Sequence, residues 1–84
     1  MVKYKNLGGN SGVSSYEIGT DFIKITFNDG SVYLYNNAVT GKQNIDKMKN
    51  LAEAGSGLNS FIMTHVRKLY ASKLRWFYFL ILLQ

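Results

Sequence analysis

The chain has no cysteine and no proline. The first absence excludes disulfides, thiolate metal sites and cysteine nucleophiles. The second removes the strongest local breaker, so turns fall to the eight glycines and to asparagine and aspartate. Acidic residues are scarce and run out early. Nothing after Glu53 is acidic. Lys3, Lys5 and Lys24 balance Glu17, Asp21 and Asp29, whereas Lys42, Lys47, Lys49, Arg67, Lys68, Lys73 and Arg75 face only Asp46 and Glu53, so the whole net charge of +5 lies beyond residue 41. Such asymmetry suits an anionic partner, whether nucleic acid, anionic lipid or an acidic protein; it also suits a plain solvated basic face.

No apolar run is long. The longest is Trp76–Phe77–Tyr78–Phe79–Leu80–Ile81–Leu82–Leu83, eight residues, where a membrane-spanning helix needs about 20. The basic start Met1–Lys5 leads into Gly8–Gly12 rather than an apolar stretch, which does not read as a secretory signal. The expected location is cytoplasmic, with no transmembrane segment. What is present is an ordinary globular composition of 84 residues, 46% hydrophobic and 14% aromatic, which excludes disorder and leaves room for one domain.

The periodicities give an α+β order. Residues 1–12 read as a flexible lead-in. Residues 13–18, 22–28 and 31–36 read as three antiparallel strands. The second is the clearest, with Ile23, Ile25 and Phe27 alternating with Lys24 and Thr26. Asp29–Gly30 predicts a two-residue type I′ hairpin. That turn sets Ile25 opposite Leu34 and gathers Ile23, Ile25, Phe27, Val32 and Leu34 on a core face. Lys24, Thr26, Tyr33 and Tyr35 then share the other face. Helical spacing follows over residues 40–54, with Thr40 as N-cap and Ile45, Met48, Leu51 and Ala52 as the apolar stripe. A second helix over 59–74 carries Phe61, Ile62, His65, Val66, Leu69 and Tyr70 inward and Arg67, Lys68 and Lys73 outward. Strands followed by helices predict two helices packed on one face of a three-stranded sheet. The domain is expected over residues 13–75, with 76–84 as an apolar C-terminal tail.

Phe27–Asn28–Asp29–Gly30–Ser31–Val32, the Tyr33–Leu34–Tyr35 triplet, the break Gly55–Ser56–Gly57 before Asn59, and Val66–Arg67–Lys68–Leu69–Tyr70 occur in an order that resembles the KTSC domain. That family is named for the C-terminal region of some lysyl-tRNA synthetases. The resemblance covers roughly residues 12–72. It implies a small stand-alone or appended module whose suggested role is RNA binding. The family pattern usually carries a proline at the entry to the first helix; here the connection is Asn36–Gly41.

Catalysis has little to work with. His65, the single histidine, falls on or beside the apolar stripe, with no nucleophile legible near it. Gly41–Lys42 is followed by Gln43 where a phosphate-binding loop needs Ser or Thr, and Gly55–Asn59 follows a helix rather than a strand. No cofactor or metal is expected, and the chain reads as a non-enzyme. Tyr33 and Tyr35, spaced by two with Lys24 beside them, resemble a base-stacking platform on a sheet; the same tyrosines could equally pack beneath another element. On the first reading Lys24, Tyr33, Tyr35, Arg67, Lys68, Lys73 and Arg75 would meet RNA or another single strand. The rival reading is a protein-interaction or self-assembly domain. In it the run from Trp76 to Leu83, apolar on every side as helix or strand, is covered by a second copy of the chain. A membrane surface or the chain's own sheet would be the other covers.

Overall fold

A computed structural model describes residues 1–9 and 11–75. It is an α+β fold built on one antiparallel sheet. The order along the chain is β1 (Val2–Lys3), β2 (Val13–Ile18), β3 (Phe22–Phe27), β4 (Val32–Asn36), α1 (Asn37–Thr40), α2 (Lys42–Ala54), α3 (Leu58–Phe61), a π-helical turn (Ile62–Val66) and β5 (Ser72–Arg75). Neighbours in sequence are neighbours in the sheet, β1-β2-β3-β4-β5. Among the described residues the sheet therefore has five strands where three were expected. The two added strands are short, two and four residues, at or below the shortest length over which alternation can be read from sequence.

The hairpin register differs from the sequence expectation by one residue. Ile25 pairs with Tyr33 and Ile23 with Tyr35, while Lys24 faces Leu34 and Thr26 faces Val32. The cause is the turn. The Gly30 N–H donates to the Phe27 carbonyl at 2.9 Å, and the Phe27 N–H to the Ser31 carbonyl at 2.9 Å. Gly30 has φ +88°, but Asn6 is the one described non-glycine residue with positive φ, so Asp29 stays on the ordinary side. A type I′ turn needs positive φ at both central positions; one αL glycine after a type I turn makes a three-residue loop instead. The extra residue reverses the faces of β4. Tyr33 and Tyr35 join Ile23, Ile25 and Phe27, and Val32 and Leu34 go to the opposite face with Lys24 and Thr26.

The buried cluster combines Val13, Tyr16, Ile23, Ile25 and Tyr35 of the sheet with Ile45, Met48 and Ala52 of α2 and with Leu58, Ile62 and Val66 beyond it. Tyr4 belongs to it as well, 3% exposed, and its hydroxyl accepts from the Leu58 N–H at 3.3 Å. The lead-in therefore supplies a strand and a core residue. Of the expected core, Phe27, Leu51 and Phe61 pack against the cluster from partly buried positions. Leu34 lies on the other sheet face, and Leu69 is 41% exposed.

Both helices are shorter than their periodicity suggested. Gly41, at φ +95°, divides the first into α1 and α2. Asn36 caps α1 by accepting from the Val39 N–H. Thr40 is thus not a cap; it is buried, and its hydroxyl donates to the Leu69 carbonyl at 2.7 Å. That bond meets the chain just after it has left the helical path. The Leu69 N–H turns back to the Val66 carbonyl, and the Ala71 N–H donates to the Leu34 carbonyl, which starts β5 against β4. The second helical segment consequently ends at Val66, not at 74, and residues 72–75 are strand.

Candidate nucleic-acid interface

A cleft of about 500 Å³ opens between the β3–β4 hairpin and the π-helical turn. Its aromatic lining comes from the register described above. Tyr35 is 1% exposed, and Tyr33 lies beside it nearly parallel, ring centroids 6.4 Å apart and planes 24° apart. Tyr70 meets Tyr33 edge to face at 4.9 Å and Tyr35 at 6.4 Å. Phe27 also meets Tyr33 edge to face, at 5.5 Å and 87°. Edge-to-face contacts of this kind favour the ring quadrupoles and hold each ring in place. Tyr33 and Tyr70 are half-buried, so parts of their surfaces remain open to the cleft.

Positive charge is set around this lining. Arg67 and Lys68 follow the π-helical turn directly, and Met63 comes from its start. Met63 and Arg67 are four apart, which brings them to one side. The Lys73 ammonium lies 5.0 Å from the centre of the Tyr33 ring, a cation–π distance. It reaches that face because β5 places Lys73 opposite Tyr33. One acid is present among the lining residues, Asp29. The Ser31 hydroxyl donates to its Oδ1 at 2.6 Å and the Ser31 N–H to the same oxygen at 2.9 Å. These bonds hold the carboxyl below its usual range, side-chain bond first, and Lys73 adds to them. The Tyr35 hydroxyl is shifted the other way, upward, by burial and then by Tyr33 and Tyr70.

The structure brings Tyr33, Tyr35, Arg67 and Lys68 together and sets Lys73 over Tyr33. Lys24 is elsewhere. It lies on the opposite sheet face, in the ladder between Glu17 and Leu34, with its ammonium 3.8 Å from the Glu17 carboxylate. The expected platform of Lys24 beside Tyr35 is therefore not formed. Arg75 takes the ladder position opposite Val32. The run from Trp76 to Leu83 lies outside the described residues. Sequence reasoning missed Phe27, Tyr70 and Asp29 as cleft residues. Phe27 and Tyr70 were legible only as core positions, and Asp29 only as a turn residue.

Elsewhere the chemistry is sparse. His65 is exposed, stacked on Phe61 at 4.6 Å, with Nδ1 2.7 Å from the Thr64 hydroxyl. Among the described residues no group of three or more metal-ligating side chains gathers. A smaller cleft of about 290 Å³ lies beside the lead-in, lined by Asn6, Ser11, Gly57 and Asn59 among others, with no charged side chain. No described helix is long and apolar enough to cross a membrane. Comparison with known proteins finds no match among family models, curated proteins or solved structures.

Proposed function

We propose that this chain is a non-catalytic, cytoplasmic module that binds RNA or other single-stranded nucleic acid in the cleft between the hairpin and the π-helical turn. One observation carries the reading: half-buried Tyr33 and Tyr70 rings, fixed edge to face, share a cleft with Arg67 and Lys68. Single-strand binders combine these two elements, aromatic faces for bases and cations for the backbone, and each stacked base is worth roughly 1–3 kcal/mol. The resemblance to the KTSC family belongs to the same proposal.

Titration of the full chain with mixed-sequence RNA and DNA oligomers tests it. Three phosphate contacts, from Arg67, Lys68 and Lys73, give a slope of about −2 in log K against log salt, at roughly −0.7 per contact. No binding at low salt, or unchanged binding after Arg67→Glu with Lys68→Glu, would sink the reading.

Self-association is a second reading with an observation of its own. Among the described residues β5 is last in the strand order, and the sequence runs from it directly into Trp76–Leu83. An edge strand offers unpaired backbone groups to another chain. Removal of residues 76–84 then turns an oligomer into a monomer in light scattering, and a full chain that is monomeric at high concentration contradicts it.

A further inference from the structure

We propose that the cleft takes one unstacked guanine of a single strand, its ring against Tyr33 and Tyr70, its N1–H and N2–H groups donating to Asp29, and its phosphate on Arg67 and Lys68; this rests on the nucleic-acid reading above. One charge in the cleft does not fit a backbone-binding surface. Asp29 lines the same cleft as Arg67 and Lys68. A carboxylate beside a phosphate path repels the strand, so a site that served only the backbone would be better without it.

Asp29 is also held in one state and one place. The two bonds from Ser31 converge on Oδ1, and Ser31 itself is buried, 4% exposed. Both bonds favour the ionised form, which keeps the group an acceptor at neutral pH. A carboxylate has about four acceptor sites, and Ser31 occupies two of them, leaving capacity on the second oxygen. Asp29 is exposed, so that oxygen can accept from a donor brought into the cleft. Among the four bases, guanine alone presents two adjacent N–H donors on its Watson–Crick edge. Uracil presents one N–H between two carbonyl oxygens, which the carboxylate repels. Adenine and cytosine present one amino group beside an acceptor nitrogen. Bases splayed out of a single strand are read on that edge while they stack on aromatic rings. Asp29, Tyr33 and Tyr70 in one cleft supply both halves of this recognition.

The test uses the full chain and three oligonucleotides, r(UUGUU), r(UUIUU) and r(UUUUU), with guanosine 5′-monophosphate as a fourth probe. Inosine differs from guanosine by loss of the N2 amino group. The expected result is binding in the order G over I and over U, with the step from G to I at least about fivefold, the lower end of discrimination for a paired base contact. Asp29→Asn, checked for folding by its melt, removes the acceptor of both N–H groups and brings r(UUGUU) below the wild-type level of r(UUIUU), toward that of r(UUUUU). The inosine comparison needs no variant, so it decides even where Asp29→Asn fails to fold. Equal, measurable affinity for all three oligomers overturns the guanine assignment and leaves the nucleic-acid reading standing. Absence of binding to every oligomer overturns both. Guanosine monophosphate binding as tightly as r(UUGUU) moves the site to a free nucleotide and overturns the single-strand assignment.

Discussion

Ser31 donates twice to one oxygen of Asp29, from its hydroxyl at 2.6 Å and from its backbone N–H at 2.9 Å. The pair closes the loop that sets the β3–β4 register, and it also fixes the acid of the cleft. Ser31→Ala removes the shorter bond and leaves the other. At an exposed carboxylate that bond is worth about 1 kcal/mol after solvent screening, or roughly 5 °C in Tm for a chain of this size. The pH dependence has a definite sign. The native carboxyl is held below its unfolded value, so its contribution is full above about pH 4 and is lost as pH falls through the lowered native value. Thermal melts from pH 7 down to pH 2 should therefore show the gap between wild type and Ser31→Ala narrowing at the acid end.

Tyr35 predicts the opposite edge. Burial pushes its hydroxyl up, so the native state keeps the proton after the unfolded chain has begun to release it near pH 10. Stability is full below that point and falls as pH rises, by up to about 1.4 kcal/mol per pH unit for one group. Tyr35→Phe has no proton to release there. Melts between pH 9 and pH 12 should fall less steeply for the variant than for wild type; parallel curves would show that Tyr35 does not set the alkaline limit.

The strand over residues 22–27 and the stripe Ile45, Met48, Ala52 were legible because each repeats one period over several residues. The faces of β4 were not. They hang on a single φ, that of Asp29, and Asp-Gly suits either loop length. Once Asp29 takes the ordinary sign, Tyr33 and Tyr35 replace Val32 and Leu34 on the core face, where their rings have more area to bury. The end of the second helix was hidden for a different reason. Helical spacing continues through Leu69 and Tyr70, but the Leu69 carbonyl is taken by Thr40, 29 residues away, and the chain turns to the sheet edge. Tertiary bonds of this separation leave no local mark. The cationic half of the site, Arg67 and Lys68, was readable from charge asymmetry alone; its aromatic half depended on the register.

The lead-in is a structural element, and Tyr4 is its anchor. Tyr4→Phe leaves the buried Leu58 N–H without the 3.3 Å acceptor it has now, at a cost of about 1–2 kcal/mol. Tyr4→Ala also opens a cavity in the core and should cost about 3–5 kcal/mol. Urea unfolding measures both; a Tyr4→Ala variant as stable as wild type would show that residues 1–7 are not part of the folded unit.

Gly55 ties the same segment to α2. It has φ +77°, and a Cβ there would lie 2.5 Å from the Cβ of Lys5. The Leu7 N–H also donates to the Gly55 carbonyl at 2.8 Å. Gly55→Ala meets both the left-handed backbone penalty, about 1 kcal/mol, and a clash that only backbone movement relieves. Gly30, at φ +88° with open space around its Cβ position, meets the first penalty alone. Gly55→Ala should therefore lower the urea midpoint more than Gly30→Ala, and the reverse order would place the strain at the hairpin.

Binding separates the two faces of the sheet. Tyr70 holds Tyr33 edge to face at 4.9 Å inside the cleft, whereas Lys24 sits across the sheet beside Glu17. If single strands stack on the cleft rings, Tyr70→Ala removes one stacking surface and releases another, with a loss of about 1–3 kcal/mol, roughly five- to 150-fold in affinity. Lys24→Glu changes the net charge by two at a distance from the cleft. Its effect should be the small, salt-screened loss expected of long-range charge, fading by about 0.15 M salt, where the screening length is near 8 Å. Fluorescence anisotropy of a labelled oligonucleotide at two salt concentrations reads both variants. A Lys24→Glu loss that persists at the higher salt, beside a Tyr70→Ala variant that binds as wild type, would move the binding surface to the opposite face of the sheet, where Lys24, Thr26, Val32 and Leu34 lie.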